Sequence, residues 1–209
     1  MKKTNIIFLF ITAFLLTGIT CKKEPILCSP PPPQIPNGDF EILSLYAPPD
    51  IFHNYNDAGF WISNSCGPCM KPWITEIVIF DSVNVYHGKY ALKFLYNNLY
   101  PAWVQNTFPI SIHPLSLIAF IKSNNFDKND SSSISIKLFK NNIVVDSGLW
   151  ISTSTINNYT QINIPITQNA TEIDTALIFI THGPIIPRGS SANWRMTYLW
   201  ADYLSLHYK

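Results

Sequence analysis

The chain has 209 residues, and 14 Lys and Arg against 13 Asp and Glu leave a formal charge of +1. Such a balance carries no electrostatic footprint for nucleic acid and no polybasic membrane patch. Only 13% of residues are charged while 14% are aromatic; with Asn, Ser, Thr and Ile frequent and strong helix formers scarce, this composition belongs to an all-β body.

At the N-terminus Lys2 and Lys3 precede an almost unbroken apolar run, Ile6 to Leu16. As a helix rising ~1.5 Å per residue it reaches about 16 Å, roughly half of a hydrocarbon core near 30 Å. That is too short to span and predicts a signal peptide over residues 1–20. Leu16-Thr17-Gly18-Ile19-Thr20-Cys21 resembles the lipobox of bacterial lipoproteins, whose cysteine is diacylated and becomes the mature N-terminus. Thr20 departs from the Gly, Ala or Ser usual at that position. The plain alternative is a signal peptide cut elsewhere, with Cys21 incidental.

Lys22-Lys23-Glu24-Pro25 and Pro30 to Pro33 follow, a charged, proline-rich tract that cannot pack. Residues 21–35 therefore read as a lipid-anchored extended tether, and acyl chains on Cys21 would anchor it without a transmembrane helix. The resemblance implies a protein on a bacterial membrane, at the outer membrane or cell surface. Loss of two lysines with the signal leaves a mature balance of −1.

Residues 36–209 make one domain's worth of chain. Strands are predicted at Asp39–Tyr46, Trp73–Asp81, Tyr90–Leu95, Ala102–Thr107, Leu115–Lys122, Ser133–Phe139, Ile143–Asp146, Tyr159–Pro165, Thr175–Thr181 and Tyr198–His207. In Ser133–Phe139 the residues Ile134, Ile136 and Leu138 alternate with Ser135 and Lys137, the period of a half-buried strand. Lys140-Asn141-Asn142 then reads as a hairpin tip. No window holds a sustained helical stripe, so short strands at this spacing predict a two-sheet sandwich.

Cys66-Gly67-Pro68-Cys69 has the spacing of a thioredoxin tetrapeptide. That chemistry needs the first thiol at a helix N-terminus. Pro72 and a predicted strand follow instead, so the pair reads as a loop disulfide or two thiols in an oxidising compartment. Cys28 is left over, to pair with one of them or stay free.

Three segments carry a family resemblance. Pro36-Asn37-Gly38-Asp39-Phe40-Glu41, Val85-Tyr86-His87-Gly88-Lys89-Tyr90-Ala91-Leu92-Lys93 and Asp202-Tyr203-Leu204-Ser205-Leu206 resemble the opening, middle and closing motifs of galactose-binding-like jelly rolls, among them carbohydrate-binding modules. Asp174 to Ile178 and Gly189-Ser190 are similar to later parts of such domains. The resemblance implies a jelly-roll β-sandwich, with Phe40 pointing inward and Gly88 taking a positive φ before its strand. It also implies a structural calcium where the first and last strands meet. Asp39, Glu41 and Asp202 would supply carboxylates, and carbonyls near His87 and Lys89 would complete a shell of six to eight oxygens. The alternative is that Asp202 satisfies backbone groups while the other two are solvated.

Catalysis is not predicted. There is no Gly-x-Ser-x-Gly elbow, phosphate-binding glycine loop or His-Glu-x-x-His, no carboxylate pair is singled out, and no catalytic cofactor is implied. The five histidines are scattered, without zinc spacing. Aromatic rings remain. Trp61, Trp73 and Trp200 fall in strand patterns and read as core. Tyr100, Trp103, Trp150 and Trp194 lie near strand ends among Asn, Ser and Pro, where they would form a sugar-stacking platform with Asn97, Asn98 and Gln105. The alternative is that they close the sandwich from inside. The expected function is non-catalytic glycan binding by a surface or periplasmic lipoprotein in a nutrient-capture system, among possible protein partners. Its rival is a structural or protein-interaction lipoprotein on the same scaffold, without a sugar site.

Overall fold

A computed structural model describes residues 34–41, 61–63, 78–96, 101–124, 130–184 and 197–209, all within the compact unit Pro32–Lys209. Its elements are strands: β1 Ile62–Ser63, β2 Val78–Asp81, β3 Ala91–Tyr96, β4 Ala102–Pro109, β5 Ser116–Asn124, β6 Asp130–Lys140, β7 Ile143–Ser152, β8 Ile156–Pro165, β9 Thr175–Pro184 and β10 Thr197–His207. They form two antiparallel sheets, ordered β1-β4-β9-β6-β7 and β2-β3-β10-β5-β8. From β3 to β10 the only connection that stays within a sheet is the β6–β7 hairpin. Every other connection crosses to the opposite layer, and four strands from each sheet interleave as a jelly roll.

The period-two pattern explains the packing. On β6, Ile134, Ile136 and Leu138 are fully buried, and on β9 Ala176, Ile178 and Ile180 are too. They meet Leu117, Ala119 and Ile121 of β5 and Leu199 and Ala201 of β10 in one core. Each such Leu or Ile contributes roughly 1.5–3 kcal/mol on burial. At the β6–β7 tip Asn141 and Asn142 have φ of 52° and 65°, the left-handed pair that a two-residue hairpin needs.

The start of the body differs from expectation. Asp39, Phe40 and Glu41 lie outside any strand, and residues 36–39 form a turn. Phe40 is fully buried as expected, but at φ 59° rather than by strand alternation. This segment is a strap. The Gln34 side-chain amide donates to Leu206 O at 3.4 Å and its oxygen accepts Leu206 N–H at 3.1 Å, as a strand's backbone would. Leu204 N–H donates to Gly38 O at 2.7 Å, and buried Asn106 donates to Pro36 O at 2.9 Å. Trp61 Nε1 donates to Asn37 O, and its ring lies 5.3 Å from Phe40. A Cβ on Gly38 would collide with Leu204 O, so glycine is required there by close approach.

One irregularity sets the rest of the geometry. Along β10 the register with β5 passes from Asp202–Phe120 to Ser205–Ile118, one extra residue on β10, with Tyr203 at φ 47°. This bulge puts Asp202 and Tyr203 both on the outer side and returns Leu204 and Leu206 to the core.

Candidate functional site

Two constellations stand out, a carboxylate knot beside the bulge and an aromatic grid on the first sheet.

The knot joins the strap, the loop before β3, and β10. Asp202 is fully buried, and its Oδ2 accepts N–H bonds from Tyr86 at 2.8 Å and His87 at 3.0 Å. Glu41 Oε1 accepts N–H bonds from Lys89 at 2.7 Å and Tyr90 at 2.9 Å. Gly88 sits between these amide pairs at φ 72°, as expected, and turns the chain so that both pairs face carboxylates. The groups of this loop that meet the two acids are main-chain amide N–H donors. Burial holds the Asp202 carboxyl above its ordinary range, opposed by amides of His87, Tyr86 and Tyr203 and reinforced by the charge of Glu41. Its Oδ1 is buried and meets no hydrogen-bond partner among the described residues, a costly position for a carboxylate oxygen. Asp39 does not join the other two: its Oδ1 takes the N–H of Glu41 at 3.4 Å. Among the described residues no three His, Cys, Asp or Glu side chains gather in a ligating group.

The grid is the outer face of β1-β4-β9-β6-β7, and the ladder registers define it. Trp103 lies opposite Thr181, and Thr181 opposite Ser133; Gln105 lies opposite Phe179, and Phe179 opposite Ser135. Ser133 and Ser135 in turn face Ile151 and Leu149 on β7. The Trp103 and Phe179 rings stack with centroids 5.6 Å apart at 28°. Lys137, one row along, is the single charged side chain among these strands' outward positions in the described residues. Trp103 and Gln105 share the outward face of β4. Phe179 was missed, although alternation in Thr175–Thr181 places Leu177, Phe179 and Thr181 on one face.

Trp150 does not belong to this platform. It lies opposite Ile134, on the inner face, and packs against the core. Its neighbours Leu149 and Ile151 are the exposed ones, at 61% and 56%. Alternation within β7, longer than the predicted Ile143–Asp146, forces this choice. Trp61 is core as expected; Trp200 is buried but on the outer face of the second sheet. Tyr100, Trp194, Trp73, Asn97, Asn98 and the cysteines Cys21, Cys28, Cys66 and Cys69 lie outside the described residues.

Two polar clusters are built around buried side chains, His182 and Asp146. Ser132 Oγ meets His182 Nδ1 at 3.0 Å, and Nε2 meets Thr197 Oγ1 at 3.0 Å. All three are buried, so no substrate reaches this Ser–His pair, and burial depresses His182 to about 4. Asp146 takes His113 Nε2 at 2.9 Å, Thr167 Oγ1 at 2.8 Å and the amides of Asn169 and Ala170. Despite burial these donors hold Asp146 down at about 2.

No family model matches the chain, and no curated protein matches it. Solved structures align with the chain at low identity. A structure described as carbohydrate-binding modules of the β-sandwich superfamily aligns with TM-score 0.46 and 9% identity over 62% of this chain and 52% of that one. TmCBM61 in complex with β-1,4-galactotriose aligns with TM-score 0.42 and 11% identity over 71% and 88%. The enzymatically active domain of bacteriophage CBA120 tailspike protein 4 aligns with TM-score 0.47 and 12% identity over 70% of this chain and 19% of that one. The chain spans about half of the first of these and a fifth of the third.

Proposed function

We propose that the protein binds neutral glycan on the outer face of the first sheet and does not convert it. The observation behind this reading is the stacked Trp103–Phe179 pair set in a grid of Gln105, Thr181, Ser133 and Ser135. Sugar rings offer apolar C–H faces that stack on aromatic rings, and hydroxyls that pair with amides and hydroxyls. A face with a single charge suits a neutral ligand. Affinity electrophoresis of the full chain through gels containing neutral polysaccharides tests it: one of them should retard the parent, and Trp103→Ala should migrate freely. Equal migration of parent and variant in every gel overturns the reading.

Calcium is part of the proposal as a structural ion. The Oδ1 of Asp202, without a partner among the described residues, and the nearby Glu41 are groups that a hard cation takes, with main-chain carbonyls completing the shell. Asp39 is left out of that set. The protein is proposed to sit on a bacterial membrane through lipid at Cys21, in a nutrient-capture system; Cys21→Ser should then leave membranes for the soluble fraction.

The interaction reading is favoured by one observation. β7 is a ten-residue strand at the end of its sheet, with Ile143, Val144, Leu149 and Ile151 exposed. Such an edge can template an added strand. Capture of a partner that Leu149→Lys abolishes, in a protein without glycan affinity, would select it.

A further inference from the structure

The outer face of the second sheet carries a chemistry different from the grid. In one row of the ladder Trp200 on β10 lies directly opposite Lys93 on β3 and directly opposite Lys122 on β5. Two strand spacings of ~4.8 Å put the two lysine backbones only about 10 Å apart. The Lys93 ammonium lies 5.4 Å from the indole centroid and 4.8 Å from that of Tyr198. The Lys122 ammonium lies 4.9 Å from the same indole. Tyr198 and Trp200 pack at 5.5 Å and 32°.

Neither lysine forms an ion pair among the described residues. Lys122 has one polar partner there, Asn84 Oδ1 at 3.0 Å. The nearest acid in contact with the row, Asp81, is already filled: it accepts from Trp200 Nε1 at 2.8 Å, Val83 N–H at 2.8 Å, and both the backbone and side-chain amides of Asn84 at 3.1 Å. Asp202, two residues along β10, is buried and turned to the amides of Tyr86 and His87. The row therefore carries two ammonium groups against the one carboxylate of Asp81, leaving a surplus positive charge around one indole that the ring quadrupole offsets only in part. An anion between them relieves it.

We propose that the Lys93–Trp200–Lys122 row is a second ligand site, specific for a saccharide that bears a carboxylate or sulfate. The two ammonium groups take the acidic group, and the half-buried Tyr198 beside them takes the adjoining ring face. The site is independent of the neutral-glycan face, being on the other sheet and using none of its residues.

The test is affinity electrophoresis of the full chain in gels containing polygalacturonate, neutral galactan or polyglutamate, at low salt and at high salt. Polygalacturonate and a sulfated polysaccharide, run in parallel, separate the two acidic groups. The parent should be retarded by an acidic polysaccharide, less so at high salt. Lys93→Gln with Lys122→Gln should weaken that retardation about tenfold or more, while Lys93→Arg with Lys122→Arg keeps it and Trp103→Ala leaves it untouched. Thermal unfolding of each variant distinguishes lost binding from lost fold, and the arginine pair retains the charge if the glutamine pair does not fold. Equal retardation by polyglutamate would reduce the site to unspecific charge and overturn the proposal. So would a parent indifferent to both acidic polysaccharides, or a folded glutamine pair that binds like the parent.

Discussion

Glu41 occupies the space that a side chain on Gly88 would need: a Cβ there would collide with Glu41 Oε1. The carboxylate is fixed in that position because it accepts the N–H groups of Lys89 and Tyr90. Gly88 also stands at φ 72°, where a side chain is strained. Gly88→Ala therefore meets two penalties at once, and should cost about 1–3 kcal/mol. At roughly 2–4 °C per kcal/mol for a domain of this size, thermal unfolding should fall by several degrees. Glu41→Ala made together with it should cost less than the separate losses combined, because the collision disappears.

Calcium should raise the melting temperature if it engages Asp202 and Glu41. Binding to the native state alone stabilises by RT ln(1 + [L]/Kd), about 2.7 kcal/mol at a hundredfold excess over Kd. Asp202→Ala should remove the shift, and Asp39→Ala should keep it, since Asp39 turns to the Glu41 amide. A melting temperature unmoved by chelator or calcium would leave the ion out of the knot.

Acid should unfold the domain in two stages. His182 is held neutral, at about 4 against an ordinary 6.5, so the unfolded chain takes up its proton first. Stability is complete above about pH 6.5 and falls as pH drops toward 4, by up to about 3 kcal/mol. Asp146 is held at about 2 against 3.8, so its charged form favours the folded state. That contribution, about 2 kcal/mol, is present above pH 4 and lost between 4 and 2. Urea unfolding across pH should show both steps; His182→Gln should diminish the first, and Asp146→Asn the second, with Asp81 and Asp174, also held low, contributing the remainder.

Trp103→Ala and Trp150→Ala should separate binding from folding. Trp103 faces outward on the grid, and its loss should abolish neutral-glycan retardation with a small change in stability. Trp150 packs against the core, and its loss should cost about 2 kcal/mol or more while the remaining folded protein still binds. Reversal of these outcomes would exchange the two faces.

The architecture was legible where period two was clean. Ser133–Phe139 gave its strand, its inward residues and its hairpin tip, because alternation and paired asparagines are local signals. Trp150 was misread for the opposite reason. With β7 cut short at Asp146, nothing fixed the parity that sends Leu149 outward and Trp150 inward. Phe40 was read correctly as buried but from a strand that is absent there, since a left-handed aromatic has no sequence signature. The Lys93–Trp200–Lys122 row was invisible because it joins three strands, and only the register reveals it.

The placement of β10 has a consequence for how the chain is made. It lies between β3 and β5, yet Ala201 is synthesised more than a hundred residues after its partner Leu92. At roughly 5–20 residues per second, β3 waits about 5–20 s for its neighbour. Until then the native pairings open to the second sheet are only β2 with β3 and β5 with β8, each with an open side. Contacts so distant in sequence form slowly. A chaperone that shields those open sides during that interval would govern the yield of folded protein.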